Sequence, residues 1–257
     1  MILSRLVYKS FHFHFSFFII HPKGFHMALY VIADLHLAFG APEKTMDVFP
    51  GWHGYTERIR DNWTRIVRPE DTVVLPGDIS WAMGLRNAAA DFKFLDALPG
   101  TKLIGKGNHD YWWGTVKKMT EMLDANGLST IRFLFNNAYL CDGISVCGSR
   151  GWFFDTQDAE DNAKVIAREA QRLKTSIETG LTLGGEPAVF MHYPVVMDDK
   201  TCEPLFRVLQ DYRIKRCYFG HIHGDRTGRL ADFTVEGVRF SLASADFLDF
   251  TPKKVTF

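Results

Sequence analysis

The sequence predicts a single domain of the α/β class. Short apolar runs typical of strands alternate with longer segments of helical periodicity, and no Pro-, Gly- or Ser-rich linker divides the chain. A chain of 257 residues, of which 46% are hydrophobic, is long enough to enclose a large buried core. Strands separated by helices favour parallel βαβ units, and the closing pair of strands favours an antiparallel end.

The individual elements follow from the periodicity of the apolar residues. Ten strands are predicted, at residues 28–33, 72–76, 101–104, 130–135, 137–141, 144–148, 187–191, 214–219, 232–236 and 238–243. Five helices are predicted, at residues 55–67, 84–97, 114–126, 159–179 and 202–211.

The clearest of these helices is 159–179. One of its faces carries apolar residues at spacings of four, three and four, namely Ile166, Ala170, Leu173 and Ile177. We expect Asp155 or Thr156 to cap its first turn, because short polar side chains accept hydrogen bonds from free helix amides. We expect Gly180 to end it, because glycine readily adopts the left-handed conformation at a helix terminus.

Residues 1–26 differ in composition from the rest of the chain. Their apolar run is interrupted by His12, His14 and Ser16, and it is shorter than the ~20 apolar residues that a membrane span needs. No small-residue cleavage site follows it before the first predicted strand. We interpret 1–26 as an upstream extension or disordered segment, and we predict that the working domain is 27–257.

The charge and cysteine content limit the classes of partner. Thirty basic and thirty acidic residues cancel, which disfavours long nucleic acids and anionic membranes as partners. Four cysteines lack both CxxC pairing and zinc-finger spacing. We therefore expect reduced thiols in a cytoplasmic protein that does not bind a membrane.

Polar residues follow five of the predicted strands. In chain order these groups are Asp34-Leu35-His36, Gly77-Asp78, Gly107-Asn108-His109-Asp110, His192 and Gly220-His221-Ile222-His223. Each group alone is commonly an ordinary turn, a helix cap or a core histidine. Their shared position matters, because open α/β folds bind ligands at the carboxyl ends of their strands. Residues two apart in an extended segment face the same side, so the DxH and HxH pairs can each converge on one point.

The residue types in these groups indicate a metal site. Carboxylate, imidazole and amide oxygen together suit first-row divalent metals. Seven potential ligands exceed the needs of one catalytic metal, but they suit two metals that share a bridging carboxylate. Such a pair, ~3.5–4 Å apart, can hold a hydroxide and stabilise both oxygens of an in-line phosphoryl displacement.

The ordered set DLH…GD…GNHD…H…GHIH resembles the calcineurin-like metallophosphoesterase family over about residues 28–225. The resemblance implies a four-layer α/β/β/α sandwich with two central mixed β-sheets. It implies two divalent metal ions per chain, of manganese, iron, zinc or a related element. The implied ligands are Asp34, His36 and His223 for the first metal, Asn108, His192 and His221 for the second, and Asp78 for both. His109 matches the family's catalytic histidine, which binds no metal and assists departure of the leaving group.

One position departs from the family pattern. Many members extend GD to GDxxD, and the second aspartate supports the histidine of GNH. Here the run is GDISW, which puts Trp81 in that place. An indole only donates hydrogen bonds, so another group has to orient His109. Asp110, a backbone carbonyl and a water are the candidates.

Three further residues are candidate substrate contacts. Arg150 follows a predicted strand and could reach a phosphate as a bidentate donor, or it could be an ordinary surface arginine. His53 lies in a long loop after the first motif, and Asp110 lies beside His109. The aromatic run 111–113 could stack on a nucleobase or pack into the core.

These observations predict a dinuclear metal-dependent phosphohydrolase acting on a phosphorylated small molecule or a phosphodiester. A hydroxide that bridges the metals would attack phosphorus in line, and His109, or a water it holds, would protonate the departing oxygen. A non-catalytic metal-binding scaffold on the same fold is the alternative, although all seven ligand positions are filled. A metal-dependent amidohydrolase also uses HxH, but it places that pair early in the chain of a larger barrel.

Overall fold

The computed structural model describes residues 27–152, 159–225 and 227–256. Its strands are Leu29–Val31 (β1), Thr72–Leu75 (β2), Thr101–Ile104 (β3), Ile131–Phe133 (β4), Tyr139–Cys141 (β5), Ile144–Ser149 (β6), Glu186–Met191 (β7), Val196–Met197 (β8), Lys200–Thr201 (β9), Arg216–Phe219 (β10), Asp232–Val235 (β11), Val238–Leu242 (β12) and Lys253–Lys254 (β13). Its helices are Tyr55–Ile66 (α1), Leu85–Ala97 (α2), Val116–Ala125 (α3), Ala159–Thr182 (α4) and Glu203–Asp211 (α5).

The larger strands form two mixed sheets. The first has the order β13-β1-β2-β3-β4, in which only β13 is antiparallel to its neighbour. The second has the order β11-β12-β10-β7-β6-β5, in which the four central strands are parallel and the two edge strands antiparallel. Both sheets therefore present several carboxyl ends of parallel strands along one edge.

Three buried clusters show that the two sheets pack between two layers of helices. Strand β1 illustrates the arrangement, because its alternate residues belong to different clusters. Tyr30 belongs to the cluster that includes residues of α1, α2 and α3, whereas Val31 belongs to the cluster that includes Phe190 of the second sheet. A third cluster joins the other face of the second sheet to α4 and α5. Full burial of a side chain of this size contributes about 1.5–3 kcal/mol, so all three interfaces stabilise the fold. The architecture is the predicted four-layer α/β/β/α sandwich.

The two sheets are also joined through the backbone at the carboxyl edge. The amide of Ala33, just after β1, donates to the carbonyl of Ala243 over 2.7 Å. The amide of Ala245 donates back to the carbonyl of Ala33 over 2.9 Å. These bonds bring the segments that follow β1 and β12 side by side.

All ten predicted strands and all five predicted helices occur, with bounds that differ by a few residues. The two-residue strands β8, β9 and β13 and two short 3₁₀ helices, Pro42–Lys44 and Met46–Val48, were not predicted. Elements this short contain no complete repeat of a strand or helix pattern. In the described ranges no helix has the length and apolar character to cross a membrane.

The predicted end of α4 at Gly180 is wrong. The helix continues to Thr182, and Gly184, with φ of +81°, follows its last turn. Gly180 instead allows close packing, because a Cβ there would lie 2.4 Å from Sγ of Cys147 on β6. The sequence shows the glycine but does not show whether it ends a helix or allows close packing. The predicted caps, Asp155 and Thr156, lie outside the described residues.

Candidate metal centre

All seven predicted metal ligands lie together where the carboxyl edges of the two sheets meet. Each has a side-chain atom within 3.8 Å of a side-chain atom of another member. The set comes from the loops after β1, β2, β3, β7 and β10. Parallel strands therefore bring residues from distant parts of the sequence to one point.

Four of the seven have left-handed backbone conformations that non-glycine residues rarely adopt. The φ angles are 57° at Asp34, 47° at His36, 50° at Asp78 and 70° at His221. Each such residue costs about 1–3 kcal/mol and persists only where the surrounding structure holds it. The loops are thus bent sharply enough to direct consecutive polar side chains inward.

The first group of ligands is Asp34, His36 and His223. Nε2 of His36 lies 3.2 Å from Nε2 of His223, and ligand atoms of all three residues lie within 4.8 Å of one another. Two imidazole nitrogens at this separation can both reach one divalent ion at about 2.0–2.1 Å. Oδ1 of Asp34 is buried without a hydrogen-bond partner, which is costly unless a cation compensates it. The residues present therefore fit a metal ion.

Asp78 faces both groups of histidines. Its Oδ2 lies 3.8 Å from Nε2 of His36 and 3.6 Å from Nε2 of His192. Its Oδ1 accepts a hydrogen bond of 2.8 Å from the backbone amide of His109. One carboxylate oxygen is thus fixed by the loop while the other is directed between two imidazoles, as a bridging ligand requires.

The second group is centred on His192. Its Nε2 lies 2.5 Å from Oδ1 of Asn108, and the same oxygen lies 3.1 Å from Nδ1 of His221. Asp34, Asp78 and His192 also form a set whose ligand atoms lie within 4.8 Å of one another. Asp34 approaches Nδ1 of His192, at 3.3 Å, on the other side of the ring from Nε2. This approach is electrostatic, because neither atom makes a hydrogen bond within the described residues, and Asp78 is the carboxylate on the Nε2 side of the ring.

The electrostatics of the centre favour a bound cation. Burial raises the pKa of Asp78 to about 7; the nearby carboxylates of Asp110 and Asp34 add to the shift, and His192 opposes it. Burial also acts to raise the pKa of Asp34, but its contacts with His192 and the charges of His223 and His36 outweigh this effect and hold the pKa below its usual range. Burial lowers the pKa of His36 to about 3, which keeps the imidazole neutral and able to bind metal.

Two supporting residues of the centre were missed in the sequence. Oδ1 of Asp246 lies 2.9 Å from Nδ1 of His223, and Oδ2 accepts a hydrogen bond of 2.8 Å from the amide of Gly224. Asp246 therefore orients the ring of His223 so that its Nε2 faces His36. Ser244 donates its hydroxyl to Oδ2 of Asp34 over 2.8 Å. Both residues follow β12, whose carboxyl end lies at the same edge of the sheet as the ligand loops. Their position after a predicted strand was the signal in the sequence that could have identified them.

Asp110 acts as a clamp between two ligand loops. Its Oδ2 accepts the amides of Asp78 and Gly107, at 2.9 and 2.7 Å, and its Oδ1 accepts the amide of Ile79 at 2.9 Å. Oδ1 also accepts the indole N–H of Trp112 over 3.0 Å. Asp110 is 2% exposed and both of its oxygens are engaged. Among the described residues no hydrogen bond joins Asp110 to the ring of His109, and its contact with substrate stays a prediction.

His109 is positioned by ring packing. Its ring centroid lies 4.5 Å from Trp81 at an interplanar angle of 48°, and its Nδ1 is buried with no hydrogen-bond partner among the described residues. Trp81 also stacks on His36, with centroids 4.8 Å apart and an angle of 17°. The tryptophan that replaces the family's aspartate therefore contacts both a predicted metal ligand and the predicted catalytic histidine.

The remaining candidate substrate contacts lie in different surroundings. Arg150 is half-buried at the end of β6, and its backbone carbonyl accepts the amide of Tyr193 over 3.0 Å. His53 is exposed, and among the described residues its ring makes no recorded contact with the predicted ligands. Its neighbour Trp52 is buried and packs 5.5 Å from His223. In the aromatic run, Trp112 is buried whereas Tyr111 is exposed, 6.1 Å from the ring of His109.

Comparison with known families agrees with this geometry. The model of the calcineurin-like phosphoesterase family matches residues 27–225, and the chain belongs to that family. The family consists of phosphoester hydrolases that depend on metal. In the described ranges, eleven of the strands form two open sheets and β8 pairs with β9, whereas an amidohydrolase would need a closed barrel.

Several solved structures resemble the chain at low sequence identity. TT1561 of Thermus thermophilus is 10% identical, with a TM-score of 0.54, over 90% of this chain and 99% of that one. The phosphopantetheinyl hydrolase of Mycobacterium tuberculosis is 14% identical, with a TM-score of 0.49, over 90% and 96% of the two chains. The protein AQ665 of Aquifex aeolicus is 17% identical, with a TM-score of 0.48, over 89% and 96%. No curated protein matches the chain.

Proposed function

We propose that this chain is a dinuclear metal-dependent phosphoesterase that hydrolyses phosphate monoesters or diesters. The observation that carries the proposal is the position of Asp78, whose Oδ2 lies within 3.8 Å of imidazoles from both ligand groups. A carboxylate in that position would join two metal ions. Membership of the phosphoesterase family supports the reaction class.

The residues that would hold the ions are those predicted from the sequence. Asp34, His36 and His223 would form one site, Asn108, His192 and His221 the other, and Asp78 would belong to both. When bound, two divalent ions supply an activated water as nucleophile and neutralise charge on the phosphoryl group, with manganese, iron and zinc as the candidate elements.

The other residues of the centre orient the ligands and move a proton. His109 holds Oδ1 of Asp78 through its backbone amide, and its ring is packed against Trp81. In the proposed reaction this ring, or a water that it holds, protonates the departing oxygen. Asp246 and Asp110 fix His223 and the two ligand loops, so little reorganisation accompanies catalysis.

A manganese-supplemented assay with an aryl phosphate monoester and the matching diester tests the proposal, together with measurement of the metal content of the chain. We expect hydrolysis of at least one ester and about two ions per chain, as in other two-metal sites. A chain that carries two ions and hydrolyses neither ester would refute the phosphoesterase reading. That outcome would favour the non-catalytic scaffold.

His109→Ala separates catalysis from metal binding. Because the ring of His109 is not a predicted ligand, we expect the variant to keep the wild-type metal content while its turnover falls about 10²–10⁴-fold, the usual contribution of a general acid. Loss of metal in parallel with turnover would show that the histidine acts in metal binding instead.

A further inference from the structure

The segments that follow the strands of the first sheet carry many of the exposed apolar side chains. Nine large hydrophobic residues are exposed in the described ranges. Five of them lie in the segments that join β1 to α1, β2 to α2 and β3 to α3, namely Phe39, Val48, Phe49, Met83 and Tyr111. The same three segments supply four of the seven predicted metal ligands and His109. Exposed apolar side chains at this edge are therefore candidates for contacts with a ligand.

Two of these exposed side chains are joined to His109 by short contacts. The ring of Tyr111 lies 6.1 Å from the ring of His109, at an interplanar angle of 74°. On Trp81, whose ring lies 4.5 Å from that of His109, Nζ of Lys44 stands 5.9 Å from the ring centroid. The same Nζ lies 3.0 Å from Sδ of Met83. Tyr111 thus contacts the predicted catalytic histidine directly, whereas Met83 reaches it through two other residues.

Tyr111 is the member of the aromatic run 111–113 that is open to a ligand. Trp112 is buried, and Trp113 packs on Phe133 with ring centroids 5.7 Å apart. Tyr111 is 54% exposed, and its one ring contact within the described residues is with His109. Its hydroxyl makes no hydrogen bond to any residue of those ranges. The structure therefore answers for each aromatic residue whether it packs into the core or remains free to stack.

The position of Tyr111 fits a contact with the leaving group of the substrate. The ring of His109 lies 5.7 Å from that of His36, which places it beside the first group of predicted ligands. In the proposed reaction His109 protonates the departing oxygen, so the leaving group lies next to this imidazole. Interacting aromatic rings have centroids about 4.5–7 Å apart. A ring attached close to the departing oxygen would therefore come within contact distance of Tyr111.

We propose that Tyr111 is a stacking platform for the leaving group, and that the preferred substrates are phosphate esters with an aromatic ring close to the departing oxygen. The inference rests on the proposed phosphoesterase function and narrows its substrate class. An aromatic pair contributes free energy beyond the burial of its surface, which an aliphatic leaving group cannot supply. A tyrosine side chain also has few rotatable bonds, so little conformational entropy is lost when a ligand stacks on it.

Two phosphonates that differ in one ring test the platform. Benzylphosphonate and ethylphosphonate carry the same anionic group, and a CH₂ replaces the ester oxygen in both, so neither is hydrolysed as an ester. Their dissociation constants are measured by calorimetric titration of the manganese-loaded protein. For the wild type we expect benzylphosphonate to bind about 2- to 10-fold more tightly, the contribution of one aromatic pair. Tyr111→Ala should bring the ratio of the two constants toward one, and Tyr111→Phe should keep it, because the ring remains.

Leu140→Ala is the matched control, because Leu140 is an apolar side chain of similar exposure, 50%, on the edge strand β5. It should keep the wild-type ratio, and all variants should keep the wild-type metal content. A wild-type ratio near one, or an unchanged ratio in Tyr111→Ala, would overturn the platform. An equal loss in Tyr111→Phe would overturn it too, by assigning the contact to the hydroxyl. The titration needs no turnover, so a metal-loaded protein that hydrolyses no ester refutes the proposed function while the ratio still decides whether Tyr111 contacts an aromatic ring.

Discussion

The two sides of the metal centre are held by different kinds of contact. On the inner side, the loops after β2 and β3 are buried and are tied together through the backbone amides that Asp110 accepts. On the outer side, the loop after β10 carries His223, which is 32% exposed in its side chain and is held by the side chain of Asp246.

This difference separates folding from metal binding. A buried carboxylate that satisfies several backbone amides is part of the fold, because its loss leaves those amides without partners. A partly exposed carboxylate that orients one imidazole acts mainly on the affinity for metal. Substitutions on the two sides should therefore give distinct combinations of stability, metal content and turnover.

The largest effect is expected at Asp78, which serves both sides. Asp78→Asn keeps an oxygen that can accept the amide of His109 but removes the charge between the two histidine groups. We expect metal content and turnover to be lost together, by more than the ~10–100-fold typical of residues that only support ligands. Metal analysis and the aryl phosphate assay measure this. Full loading with two ions in an inactive protein would contradict the bridging role.

Asp110→Ala should affect stability more than any other substitution on the inner side. It removes the acceptor of three backbone amides at 2.9 Å or less and of the indole of Trp112. Since each unsatisfied buried donor costs about 1–3 kcal/mol, we expect a loss of at least about 3 kcal/mol in the free energy of unfolding, measured with urea. Asp124→Ala, at an exposed position of α3, is the control and should change it by less than about 0.5 kcal/mol.

On the outer side, Asp246→Asn should lower the affinity for metal and leave stability almost unchanged, the opposite of Asp110→Ala. Asparagine fills the same space but holds the Nδ1–H of His223 less strongly, so we expect the affinity for metal to fall about 10- to 100-fold. The free energy of unfolding measured with a chelator present should be nearly unchanged. Asp249→Asn, an exposed aspartate later in the same loop, should leave metal affinity unaltered. If Asp246→Asn and Asp110→Ala changed metal affinity and the free energy of unfolding equally, the distinction between the two sides would be lost.

The smallest effect is expected at Trp81, which contacts His36 and His109 by packing alone. Trp81→Phe keeps an aromatic ring and should change turnover by less than about threefold. Trp81→Ala should lower turnover about tenfold with little change in KM, because aromatic pairs contribute about 0.5–1.5 kcal/mol. A fall in metal content equal to the fall in turnover would assign Trp81 to the support of His36 instead of His109.

Much of the fold and of the centre could be predicted because both depend on local pattern. The alternation of apolar residues located ten strands and five helices, and the carboxyl ends of five strands located all seven predicted ligands. Asp246 was missed because it follows β12 by several residues and forms no short motif with its partner. Gly180 was misassigned because its contact with Cys147 is made across two layers of the structure.

By itself, the sequence determined the class of fold, the family and the set of polar residues that the fold brings together at the candidate metal centre, since residue type and strand spacing express all three. Only the tertiary structure decided what the supporting residues do. Asp110 is a clamp because it lies against the amides of the loop after β2, and Trp81 replaces an aspartate by stacking. These roles depend on contacts between residues far apart in the chain, which no local pattern records.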